Sequence, residues 1–118
     1  MSEALTIEVR HEQGYAIVTP AGEIDISTVT LLRERLFELV ASRRPLVADL
    51  DQVSFIDSAG LSALVGAANR AAAHGTCLHV VCARPKILKL FRLTGLDLRL
   101  PPAPTLDEAL AGPGPQSR

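Results

Sequence analysis

At 118 residues and a net charge of −1, with 47% hydrophobic residues and only 3% aromatic ones, the chain suits one domain whose core is Leu, Val, Ile and Ala. Twelve basic residues against thirteen acidic ones leave no cationic surplus for a phosphate backbone, which argues against generic nucleic-acid binding. No apolar run reaches the ~18 residues of a membrane helix, and the polar stretch after Met1 does not read as a leader, so no membrane contact and a cytosolic location are expected.

Leu5-Thr6-Ile7-Glu8-Val9 alternates apolar and polar residues as a half-buried strand does. Gln13-Gly14 is a turn signal, and Tyr15 to Pro20 reads as the second arm of a hairpin, with Pro20 at its end because it cannot donate to a ladder. Gly22-Glu23-Ile24-Asp25 then reads as a short extended link. Ser27 or Thr28 can cap a helix running from Thr28 to Ala41, whose Val29, Leu32, Leu36, Leu39 and Val40 recur at helical spacing. Leu46 to Leu50 has the nearly continuous apolar character of a central strand covered on both faces.

A second apolar patch, Val53 to Ile56, leads into Asp57-Ser58-Ala59-Gly60. Asp57 or Ser58 would cap a helix from Ala59 to His74, with Leu61, Leu64, Val65, Ala68 and Ala72 as its stripe and Gly75 as a left-handed stop. Thr76 to Cys82 is the next strand. Pro85 opens a short helix that Gly95 closes, Leu96 to Leu100 reads as one more strand, and Thr105 caps a last helical turn through Leu110. The order is that of an α/β fold: a single domain at 1–111, a small mixed sheet with an N-terminal hairpin and packed helices, and a flexible C-terminal tail at 112–118.

Catalytic apparatus is sparse. Ile56-Asp57-Ser58-Ala59-Gly60 lacks the glycine two positions before the serine that a nucleophile elbow requires. His11 falls near a turn, His74 near a helix C-terminus and His79 inside a strand, none suited to be a base for Ser58. Cys77 and Cys82, five apart on a strand, face opposite ways and read as reduced, space-filling thiols. Asp49, Asp51 and Asp57 group near a strand end, but Asp49 sits among apolar strand residues and Asp57 is a good helix cap, so no metal is expected. No glycine-rich phosphate loop occurs and no cofactor is expected. Ser58, between a strand and a helix N-terminus, is either a capping hydroxyl or an accessible phosphoryl acceptor. Spacing alone favours the cap.

Val47-Ala48-Asp49-Leu50 followed by Val53-Ser54-Phe55-Ile56-Asp57-Ser58-Ala59-Gly60-Leu61 resembles the signature of STAS domains, in particular bacterial anti-sigma factor antagonists. Gly22-Glu23-Ile24-Asp25, Leu93-Thr94-Gly95-Leu96-Asp97 and Leu106-Asp107-Glu108-Ala109-Leu110 fit the same family pattern, so the resemblance spans nearly the whole chain. It implies a non-enzymatic protein that binds an anti-sigma factor, itself an ATP-dependent serine kinase, and so releases a sigma factor. Phosphorylation at Ser58 would end that binding and a metal-dependent serine phosphatase would restore it. Glu23, Asp25, Asp57, Ser58, Ala59, Gly60, Leu61 and Ser62 are the partner-binding residues so implied, with Ala59 and Gly60 small enough for close approach. The protein would be a monomer or a weak dimer. Ala59 stands where antagonists commonly carry a second Ser or Thr, Ser62 where they carry glycine, and Asp51-Gln52 where they carry small residues. The alternative within the same family is an unphosphorylated scaffold subunit of a signalling or lipid-transport complex.

Overall fold

The computed structural model describes residues 4–111, so the tail expected at 112–118 lies outside the described residues. The two N-terminal apolar runs form an antiparallel hairpin, β1 (Leu5–Glu12) and β2 (Tyr15–Ile24), joined through Gln13 and Gly14, both at positive φ. β2 is longer than the sequence suggests. Pro20, expected at a strand end, and Gly22-Glu23-Ile24, expected as a link, all lie within it.

The backbone explains how a proline is accommodated there. The amides of Ala16 and Gly22 donate to the carbonyls of Pro45 and Gln52, so the even-numbered amides of β2 face its parallel neighbours. Those neighbours are β3 (Leu46–Asp49), paired through Val18, and β4 (Val53–Ile56), paired from Gly22 onward. Pro20 falls in the gap between the two ladders, so its missing amide hydrogen interrupts neither register. At Gly22 a bulge lets β2 change partners. Its φ of 117° favours glycine, and a Cβ would run into the Ala4 carbonyl.

Helix α1 (Val29–Val40) returns the chain to β3, and α2 (Ser58–Ala73) carries it from β4 to β5 (Leu78–Val81), which pairs with β3. The result is a five-stranded mixed sheet in the order β1-β2-β3-β5, with β4 beside the upper part of β2. The last elements are α3 (Pro85–Thr94), α4 (Leu96–Arg99) and α5 (Leu106–Ala111).

Segment 96–100 is a correction to the sequence reading: it is a helical turn and not a strand. Its leucines fit alternation, yet Leu98 is 88% exposed while Leu96 and Leu100, four apart, are buried, and the Leu100 amide bonds the Leu96 carbonyl. Burial at spacing four wins over the apparent period of two. The edge of β5 is met instead by Ala103.

One face of the sheet, with Val18, Ile24, Ala48, Ile56 and Val80, is covered by α1, α2 and α3, and Phe91 of α3 is fully buried there. The other face, with Tyr15, Ile17, Val47 and Val81, is closed by Ala109 and Leu110 of α5. β3 is therefore covered on both sides, as its apolar run requires. α2 is rotated from the predicted stripe: Gly60, Leu61, Ala63, Leu64, Ala67 and Ala71 are buried, whereas Ala72 is exposed. α1 and α2 lie side by side, with the Arg70 guanidinium 4.3 Å from the Phe37 ring centroid, a contact worth about 0.5–1 kcal/mol at an exposed site.

Candidate functional site

The carboxyl ends of β2 and β4 lie together, with Glu23 opposite Phe55 and Ile24 opposite Ile56, and the Asp57 amide donates to the Ile24 carbonyl at 3.2 Å. This pairing brings the two following loops side by side. The loop of Glu23 and Asp25 thus neighbours that of Asp57 and Ser58.

Asp57 is the helix cap. Its extended backbone and its carboxylate, accepting from the amides of Ala59 at 2.9 Å and Gly60 at 3.3 Å, satisfy two of the free donors of α2. Ser58 is consequently not the cap but the first helical residue, exposed, with no hydrogen bond to its hydroxyl among the described residues.

In the neighbouring loop, neither Ser27 nor Thr28 caps α1 through its side chain, contrary to the sequence expectation. Asp25 organises this loop instead. Its carboxylate accepts from the Ser27 hydroxyl at 2.8 Å and from the Ser27 and Thr28 amides at 3.0 and 3.2 Å. The Thr28 hydroxyl in turn donates to the Glu23 carbonyl at 2.8 Å. The hydrogen bond from the Ser27 hydroxyl, assisted by the backbone amides, holds the Asp25 carboxyl below the usual carboxylate range. This loop is therefore a rigid, negatively charged neighbour of Ser58.

Of the remaining predicted contact residues, Ser62 is exposed and Ala59 half-buried. Gly60 and Leu61 are buried. A Cβ on Gly60 would lie 2.5 Å from Ile56 Cγ1 and 2.7 Å from Ile24 Cγ2, so the glycine allows close contact between helix and sheet. Leu61 lines an open groove of about 560 Å³ that also takes in Ser58, Ser62 and Asn69 of α2, Thr94, and Arg99.

The C-terminal wall of this groove, Thr94 to Leu96 and Arg99, was not visible as part of the site from sequence, nor was the exposure of Ile26, Phe55 and Leu93 elsewhere on the surface. Leu93 could have been found, because it is out of phase with Ile87 and Phe91, the buried pair of α3.

The other titratable candidates have local roles. Asp49 accepts from the Asp51 amide and Asp51 from the Ala83 amide, at 3.1 and 2.8 Å. Among the described residues no three His, Cys, Asp or Glu side chains converge as metal ligands. Cys77 Sγ lies 3.5 Å from His79 Nε2; burial raises the thiol pKa and lowers that of the imidazole, so both groups favour their neutral forms. Cys82 is buried and free. No helix among the described residues is long and apolar enough to cross a membrane.

The family model described as STAS domain matches residues 6–109. The chain is similar to the anti-sigma-B factor antagonist of Bacillus subtilis (strain 168), 32% identical over 92 residues that cover 78% of this chain and 84% of that protein. It is similar to the anti-sigma-F factor antagonist RsfB of Mycobacterium tuberculosis, 32% identical over 111 residues, 93% of this chain and 90% of that one. The crystal structure of an anti-sigma factor antagonist from Mycobacterium paratuberculosis superposes with a TM-score of 0.84 at 36% identity, covering 90% of this chain and 91% of that chain. The fold, the ordered motifs and these likenesses agree that the chain belongs to the STAS domain family.

Proposed function

We propose that this protein is an anti-sigma factor antagonist, switched by phosphorylation of Ser58. Unmodified, it binds an anti-sigma factor that is also an ATP-dependent serine kinase, and the sigma factor is released. The observation that carries the reading is the availability of Ser58: an exposed residue whose hydroxyl has no hydrogen bond among the described residues, at a capped helix start, in a fold shared with proteins named as antagonists.

In the modification step Ser58 Oγ bonds to the γ-phosphorus of ATP while the bond to the β,γ-bridging oxygen breaks. ADP leaves, and the hydroxyl proton passes to a base on the kinase. This chain is the substrate and not the catalyst. The new group brings about −1.5 to −2 charges to a loop already carrying Asp57, Glu23 and Asp25. The fold tolerates the addition, because Ser58 is exposed at the positive end of α2. An interface built over the same spot does not, since it would bury an unpaired anion beside like charges. A metal-dependent serine phosphatase resets the switch, and a sigma-factor partner implies action in the cytoplasm.

The test is incubation with ATP and the cognate kinase, followed by mass spectrometry and by affinity measurement on the modified protein. Modification confined to Ser58 and a loss of affinity on phosphorylation are expected. Modification that persists in Ser58→Ala, or undiminished affinity of the phosphorylated form, overturns the reading.

A further inference from the structure

A second surface, next to the Ser58 loop, lies along α3. Between Arg84 and Thr94 the chain carries four cations, Arg84, Lys86, Lys89 and Arg92, and no carboxylate, although its net charge is −1. Arg84 is engaged, its Nη1 donating to the Asp51 carbonyl at 3.0 Å. Lys86, Lys89 and Arg92 are exposed, and none is in an ion pair among the described residues.

Lys86 and Lys89 border a groove of about 370 Å³ walled by Phe55 and Ile56 of β4 and by Leu90 and Leu93 of α3. Phe55 is 49% and Leu93 71% exposed, so two of the large apolar side chains left in solvent share this one depression.

We propose that this groove seats an acidic amphipathic helix of the anti-sigma factor, alongside its contact with Ser58. In naming the anti-sigma factor as occupant, the proposal rests on the reading above. Three features select this occupant. The apolar walls call for apolar side chains, and the unpaired lysines at the rim call for carboxylates. Ile56 both lines the groove and precedes the capping Asp57, so an occupant lies against the Ser58 loop. The charge also divides across the surface, with Glu23, Asp25 and Asp57 at the loop and Lys86 and Lys89 along α3, so a partner of opposite order docks in one orientation only. An anionic lipid surface fits less well. Ile87 and Phe91, the main apolar residues of α3, are buried in the core, and the remaining apolar surface is concave.

The first experiment uses no kinase, so it decides the groove's chemistry separately from Ser58 phosphorylation. A stapled helical peptide with leucines on one face and flanking glutamates is titrated into isotopically labelled protein, beside a control with lysines in place of the glutamates. Shifts at Phe55, Lys86, Leu90 and Leu93 with the acidic peptide alone are expected. Roughly tenfold weaker binding is expected for Lys86→Glu/Lys89→Glu, both exposed positions, and a similar loss for Leu93→Ser. Equal binding of both peptides, shifts elsewhere, or no binding to the acidic peptide together with binding to phosphatidylserine vesicles overturns the proposal. In the second experiment, with the kinase that modifies Ser58, the double charge reversal raises KM for phosphorylation and leaves kcat unchanged. An unchanged KM overturns the assignment to the anti-sigma factor, whereas absence of any Ser58 modification overturns the proposed function and leaves the peptide result standing.

Discussion

Two loops leave adjacent strands at the same end of the sheet, and each places an aspartate just before a serine. In the β2–α1 loop Asp25 takes the Ser27 hydroxyl as a donor at 2.8 Å, and that serine is engaged. In the β4–α2 loop the Asp57 carboxylate is directed at the amides of Ala59 and Gly60, and the Ser58 hydroxyl has no partner among the described residues. The difference lies in spacing. A serine two residues after the carboxylate can fold back onto it, whereas one immediately after a helix-capping aspartate is carried outward by the first helical turn. Similar residues therefore build a fixed wall in one loop and an available hydroxyl in the other.

The contrast can be broken most sharply by chemistry. Ser58→Ala should abolish phosphoryl incorporation by the cognate kinase, while Ser27→Ala should leave it intact. Incorporation lost in both, or in Ser27→Ala alone, measured by intact-mass spectrometry, would show that the engaged serine matters to the transfer.

Next in size is the packing beneath Ser58. Gly60→Ala forces a methyl against Ile24 and Ile56, which end the two strands feeding the loops, and should cost about 1–3 kcal/mol. Urea unfolding would register this as a lower midpoint, and an unmoved midpoint would mean that α2 can lift without penalty. Asp57→Ala removes the cap and should cost about 1 kcal/mol, again read from the urea midpoint.

The smallest effect concerns acid. The Asp25 carboxyl titrates below its ordinary range when folded, so its contribution to stability is complete above that ordinary range and fades as pH falls through the folded value. Asp25→Asn should therefore lower Tm at neutral pH and converge with the parent protein in acid. Parallel Tm curves at all pH values would remove the carboxylate from the account.

Much of this arrangement was legible in the sequence, for local reasons. The hairpin, α1, the Asp57 cap, Thr105 whose hydroxyl oxygen accepts from the Glu108 amide, and the left-handed stops at Gly75 and Gly95 depend on neighbours a few residues apart. The family motifs, from Gly22-Glu23-Ile24-Asp25 to Leu106-Asp107-Glu108-Ala109-Leu110, lie within the STAS match at residues 6–109 except for the final Leu110. What the sequence hid depends on distant partners. Val53 to Ile56 is too short for its period to distinguish a strand, and it becomes one only because β2 offers a free ladder beyond Gly22. The inward role of Gly60 is set by Ile24, which is 36 positions earlier in the chain. Leu96 to Leu100 alternates in sequence, yet α3 and the core accept it only as a turn of helix.

Pro20 has an effect that reaches beyond its own strand. It is the one residue of β2 with no amide hydrogen, and it lies between the last pair with β3 at Val18 and the first pair with β4 at Gly22. A slide of β2 by two residues along its neighbours would keep every side chain on its proper face but bring the proline opposite an acceptor. The proline thus acts as an index mark, penalising the slip that alternation alone would permit. Two residues of strand correspond to about 6.6 Å, enough to sink Ser58 below the rim formed by the Asp25 loop or raise it clear. The height at which the hydroxyl meets a partner is set from the far side of the sheet's fork.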